Sequence, residues 1–216
     1  MIIGTRVEFE NLADCILRDY LGDEYESHHP FNVTVFAQEY LKLEISYCEF
    51  NPEDNIEGMR IGKQIILDQR LSDPKRVGER NFTIAHECGH DLINLQDPNY
   101  APHQIINYRI RSQRKTLKTE HDFKEWQANV VASCLLLRPD LVGWTLFTFT
   151  QAESITIYGD NELYRDDRIA IRNMAAYLGV SQSCLRYRLD RLGLLVHKPK
   201  EEFEPMLDVS KKWRWI

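Results

Sequence analysis

Nothing in this 216-residue chain approaches the run of roughly 20 apolar residues that a membrane-spanning helix needs. The opening Met1-Ile2-Ile3-Gly4-Thr5-Arg6 lacks the charged-then-apolar order of an export signal. Cysteine is sparse and odd in number: Cys15, Cys48, Cys88, Cys134 and Cys184, with no C-x-x-C pair. That excludes a disulfide framework and a cysteine-rich zinc finger. An excess of positive charge is missing too. Lys and Arg total 27 against 33 Asp and Glu, a net charge of −6, which argues against wholesale binding to nucleic acid or an anionic membrane. No repeat or low-complexity segment interrupts the chain. These absences lead to the expectation of a cytoplasmic, reduced protein, long enough for one sizeable core with a small appended module.

What is present begins with residues 86–90, His-Glu-Cys-Gly-His, inside a segment of helical periodicity. Positions four apart lie on one helix face, so His86 and His90 can point at one metal ion. Glu87 is offset around the helix, unsuited to chelation with them but placed to take a proton from a water held by that ion. A metal that does chemistry usually has three protein ligands and one open position. Downstream, Asp91 is directed wrongly, and Asp97, His103, Glu120 and His121 lie in or beside a polar stretch that would hold a ligand poorly. Glu125 differs, because it opens an otherwise apolar helix. Asn129 follows at i+4 on the same face, where it can fix the tautomer of a ligand histidine. The competing reading of Glu125 is a helix cap with Asp122, in D-x-x-E spacing. Spacing alone leaves ligand and cap equally open.

Around this pair the pattern is mixed. Residues 11–21 and 33–41 read as amphipathic helices, 43–50 as a strand, and 59–61 with 64–67 as a hairpin about Gly62-Lys63. The histidine helix is expected over 79–95. Residues 96–120, with Arg109, Arg111, Arg114, Lys115 and Lys118, read as a solvated loop. A helix from Asp122 is closed by Pro139, and 144–150 with 154–158 read as two strands of a hairpin. Residues 169–178 and 182–192, joined by Gly179-Val180-Ser181, have the shape of a helix-turn-helix. The tail 201–216 begins acidic and ends with Trp213 and Trp215.

Three blocks resemble the ImmA/IrrE metallopeptidases. Residues 80–90, RNFTIAHECGH, are similar to that family's F-T-hydrophobic-A-H-E-x-G-H block. Residues 125–139, EWQANVVASCLLLRP, resemble its E-x-x-A-N-x-[FV]-A-x-x-L-L-M-P block, and 178–194 its V-S … R-L-x-x-L-G-L ending. The likeness covers about residues 30 to 195. Cys88 stands at the usual aliphatic position, and Leu137-Arg138-Pro139 replaces L-M-P. The resemblance implies an α+β, zincin-like fold with a small N-terminal antiparallel sheet, an active-site helix pair and a C-terminal helix-turn-helix-like segment. It divides the chain into a metallopeptidase domain (1–165), the helix-turn-helix-like segment (166–200) and a tail (201–216). It also implies Zn2+ at His86, His90 and Glu125, a site type that manganese or iron can also enter, with Glu87 as the catalytic base.

Two imidazoles and one carboxylate leave a divalent ion with net positive charge, which lowers the pKa of a bound water towards about 7. The expected activity is zinc-dependent endopeptidase cleavage. By resemblance, the substrate is a bacterial helix-turn-helix repressor of a phage, another mobile element or a stress-response operon. Tyr158, His121 and Arg109 are the candidates for stabilising the oxyanion. A second expectation, of another class, is a DNA-binding regulator with a structural metal. Between Arg168 and Lys200 seven Lys/Arg face a single acid, Asp190, and Gln182, Ser183 and Arg186 sit where a recognition helix presents side chains. Packing of this helix pair on the core, its arginines solvated, is favoured over duplex recognition.

Overall fold

Thr5 opens the first helix. Its hydroxyl accepts from the Glu8 amide and the Glu8 carboxylate reaches back to the Thr5 amide, a reciprocal cap that starts α1 (Arg6–Leu21) five residues before the apolar stripe suggests. The computed structural model describes residues 5–94, 106–110 and 119–204. Asn32 caps a short α2 (Val33–Val35) that runs on as a π-helical turn, Phe36–Tyr40. Four strands follow in the first half: β1 (Glu44–Cys48), β2 (Ile56–Ile61), β3 (Gln64–Asp68) and, beyond α3 (Val77–Asn94), β4 (Ile106–Ile110). The second half holds α4 (Glu120–Leu136), α5 (Pro139–Thr150), β5 (Ile155–Tyr158), α6 (Arg165–Tyr177), α7 (Gln182–Arg191) and β6 (Leu195–Lys198). The class is α+β, as expected.

The sheet corrects one expectation. Its order is β1-β3-β2-β4, and β1 runs parallel to β3 while β2 is antiparallel to both β3 and β4. It is therefore mixed rather than antiparallel. β2 and β3 form the expected tight hairpin, with Gly62 at φ +58° supplying the left-handed turn. The reading of 96–120 as loop is corrected in part, because β4 lies within it. Asp97, His103, Arg111, Arg114, Lys115 and Lys118 lie outside the described residues, as does the tryptophan tail.

The hairpin expected at 144–158 is replaced by a helix and a differently paired strand. Pro139 both ends α4 and opens α5, where its missing N–H costs nothing in the first turn. Leu141, Val142, Thr145 and Leu146 then bury one helical face. The threonines that suggested strand bond back one turn, Thr145 to the Leu141 carbonyl (2.6 Å) and Thr150 to that of Leu146 (2.7 Å). β5 is present, but it pairs in parallel with β6.

One apolar cluster joins α1, α3, α4 and α5 with β3 and takes in Met174, Leu185 and Leu189 of α6 and α7. The helix-turn-helix-shaped pair thus packs on the core. Gly78 makes this possible, since a Cβ there would sit 2.5 Å from the Ser181 amide nitrogen at the start of α7. Asn81 donates to the Gly179 carbonyl at 2.9 Å across the same contact. Arg188, read from sequence as solvated, is fully buried. It donates to the Leu137 carbonyl at 2.8 Å and pairs with Glu10 of α1 through both terminal nitrogens. Burial opposes ionisation of Glu10, but this guanidinium more than offsets it and holds the carboxyl below its ordinary value.

The sheet is tied to α3 by a second buried cation. Arg60 of β2 pairs with Asp91 of α3, both without exposed side-chain surface, and Lys63 reaches the same carboxylate at 3.3 Å. Arg60 also donates to the Gly62 carbonyl at 2.8 Å. Removing one member of a buried pair strands its partner's charge, whereas replacing both by apolar residues need not. Arg60→Met is expected to lower folding stability by about 3–5 kcal/mol, and Arg60→Met with Asp91→Leu to recover most of it. Urea unfolding of the three proteins checks this.

Candidate metal centre

α3 supplies His86 and His90 from one face, and α4 faces it with Glu125 and Asn129. The capping alternative for Glu125 is corrected. Thr119 is the cap of α4, its hydroxyl accepting from the Asp122 amide at 3.1 Å and Asp122 returning a bond to the Thr119 amide at 2.9 Å. Asp122 is therefore the reaching partner of a box one turn earlier, and Glu125 lies in the second turn with its carboxylate free to turn inward.

The three side chains converge. His90 Nε2 lies 3.1 Å from His86 Nε2 and 3.1 Å from Glu125 Oε1, and His86 Nε2 lies 3.2 Å from Glu125 Oε2. Bonds of about 2.0–2.1 Å to a tetrahedral ion place its donor atoms about 3.3 Å apart, close to these separations. The hydrogen-bond chemistry agrees. Asn129 Oδ1 is 3.2 Å from His86 Nδ1 and can only accept, so Nδ1 carries a proton, and in the neutral ring the Nε2 lone pair turns inward. That lone pair meets a carboxylate oxygen and a second imidazole nitrogen. With both rings neutral and their lone pairs inward, three electron-rich atoms gathered in this way repel one another and favour a cation among them. The group can hold a metal ion.

Burial reinforces the arrangement. His86, Glu87 and His90 are buried, while Glu125 keeps 22% of its side chain exposed, so the site opens to solvent on the α4 side. Burial pushes the Glu125 carboxyl up, but the two imidazoles, when protonated in place of a bound cation, outweigh it through hydrogen bonds and charge and hold the acid below its ordinary range. Burial likewise pushes the Cys88 thiol far above its usual value, making it an inert packing group in the middle of the motif.

The sequence reading brought together His86, His90, Glu125 and Asn129, and the structure does the same. It does not bring in the oxyanion candidates. Tyr158 packs its ring against Tyr164 (5.5 Å) and Phe203 (5.3 Å), and His121 is exposed in the first turn of α4. The Arg109 side chain lies outside the described residues. What sequence reasoning missed is the contact that spaces the helices. A Cβ on Gly89 would stand 2.9 Å from the Ala128 carbonyl oxygen and 3.2 Å from its Cα. Glycine and alanine at these two positions were the available signal, one within each histidine- or glutamate-bearing block.

Two variants separate spacing from orientation. Asn129→Ala is expected to weaken metal affinity roughly 10- to 100-fold by freeing the His86 ring. Gly89→Ala, which forces α4 and its Glu125 away from both histidines, is expected to weaken it further while helical circular dichroism is retained. Competition with a chromophoric chelator measures both. No protein-family model matches this chain, and no curated protein matches it, so the function rests on the chemistry of the site.

Proposed function

We propose that the protein is a zinc-dependent endopeptidase of zincin-like design, active in the cytoplasm. The single observation that carries this reading is the convergence of two imidazole nitrogens and one carboxylate, with Glu87 one residue from His86 on the same buried helix. His86, His90 and Glu125, from two rigid helices, would hold the ion with three ligands, the number found in catalytic rather than structural zinc sites. When bound, the ion supplies Lewis acidity to a carbonyl oxygen and to water.

The remaining chemistry belongs to the chain. His86 and His90 hold their lone pairs in fixed directions, His86 through Asn129. Glu125 offsets part of the ion's charge and borders the open side. Glu87, offset by about 100° around the helix from His86, takes the proton from the attacking water and delivers it to the leaving nitrogen. By the family resemblance of residues 80–90, 125–139 and 178–194, the substrate proposed is a helix-turn-helix repressor encoded on a mobile element or in a stress operon.

The regulator alternative draws less support. Of the seven cations between Arg168 and Lys200, Arg188 is buried on Glu10, Lys198 pairs with Glu202 and Lys200 with Glu162. The turn that leads into α7, at Val180 and Ser181, abuts the start of α3 at Gly78 and holds the helix pair on the core. Three of the seven cations are thus engaged by acids within the fold.

The test is cleavage of a purified helix-turn-helix repressor from the neighbouring gene, with metal content measured in parallel. Glu87→Gln is expected to retain about one zinc per chain, set by one site, and to lose cleavage. His86→Ala is expected to lose both, and a chelator to stop the wild-type protein. Cleavage by Glu87→Gln at the wild-type rate would overturn the mechanism.

A further inference from the structure

α5 carries an unusual outer face. Among the described residues, three of the large apolar side chains left exposed lie on this one helix: Phe147 (54%), Trp144 (38%) and Phe149 (38%). Asp140, Trp144, Phe147, Thr148 and Gln151 fall at helical spacing along one stripe, with no charge after Asp140. The rings beside it widen the stripe into a patch. His28 stacks on Trp144 at 4.9 Å, and Tyr177 at the end of α6 lies 6.1 Å from Trp144 and 6.2 Å from Phe149. Contiguous exposed aromatic surface of this kind marks an interaction site.

Both ends of the stripe are negative. At its start Asp140 is half exposed, and Arg138 ties the 25–27 segment alongside through the Tyr25 and Ser27 carbonyls. That segment brings Glu24 and Glu26, both exposed, to the same end. Arg138 itself is buried and already paired with Asp140, and Arg18 is engaged by Asp14 and Glu26. At the far end the α5 carbonyls carry the negative pole of the helix, and Glu153 follows. The complement of this surface is a short segment that alternates cations with large apolar side chains and has no acid.

The chain contains one. Residues 211–216 read Lys-Lys-Trp-Arg-Trp-Ile, and they lie outside the described residues. We propose that the aromatic stripe of α5 is the docking surface of this segment of the same chain. The reach is sufficient. Phe203 is anchored on Tyr158 and Tyr164, immediately before α6, and the patch lies at the other end of α6 by Tyr177. That 13-residue helix is about 20 Å long, and the chain from residue 204 to residue 213 spans up to about 30 Å. Tethering keeps the segment at an effective concentration that a free partner would have to exceed. The inference does not depend on the metal or on peptidase activity.

Photo-crosslinking of the full-length protein tests it. With benzoylphenylalanine at position 147, irradiation followed by digestion and mass spectrometry is expected to join that position to residues 211–216 within one chain, at a yield unchanged by dilution. Combining Asp140→Lys with Glu26→Lys, or raising the salt, is expected to remove most of that product, because both weaken attraction to the three cations. Folding of the charge variant is checked by its circular dichroism. Absence of a link to 211–216, links to other segments only, or products formed only between two copies would each overturn the proposal.

Discussion

Everything at the centre depends on how closely two helices approach. Among the described residues α3 and α4 make the most extensive helix–helix contact, and within it Gly89 has no side chain against the Ala128 carbonyl. Ala128 sits between Glu125 and Asn129, three and one residues away. Gly89 immediately precedes His90 and follows His86 by three. This close backbone approach is therefore flanked on both helices by the groups that must meet. A methyl group there would move the carboxylate relative to the imidazoles by a distance comparable to a coordination bond's tolerance, and packed interiors do not absorb such a shift elsewhere.

A close contact on one side of α3 needs a restraint on the other, and buried charge supplies it. Arg60 on the sheet holds Asp91, the residue after His90, while Gly78 and Asn81 seat the helix start against α7. The ligand helix α4 is held in turn at its far end, where Arg188 takes the Leu137 carbonyl and joins it to Glu10 of α1. Phe9 of α1 meets Trp126, the neighbour of Glu125, edge-on at 6.1 Å. These ion pairs contribute little net stability compared with apolar residues of the same shape, but their directional bonds fix the position of one element on another. The cost in desolvation is met by apolar burial; the return is geometry.

The ligands were legible in sequence because helical spacing converts directly into direction. His86 and His90 at i+4, and Glu125 and Asn129 at i+4, each define a face without knowledge of the fold. The cap of α4 was not, since two overlapping patterns, Thr119 with Asp122 and Asp122 with Glu125, compete and only the backbone decides between them. α5 was misread because Thr and Phe alternate over 147–150, a strand signal that Pro139 and four buried residues at helical spacing override. The parallel pairing of β1 with β3 and of β5 with β6 joins strands distant in sequence, which local patterning does not encode. Buried Arg60 and Arg188 were hidden for a related reason. A charge reveals its burial only when its partner, 31 or 178 residues away, is known.

A site assembled this way is electrostatically incomplete by itself. The Asn129 bond selects the His86 tautomer that directs a lone pair at a carboxylate, and burial excludes the water that would otherwise screen the repulsion. Relaxing apart would relieve it, but Gly89, Arg60 and Arg188 restrain both helices from moving. Donors held this close are arranged in advance for a cation, which would relieve their repulsion on binding. The same rigidity suits a site that keeps one position open, because the ion's direction of access is then set by the helices and not by whatever enters.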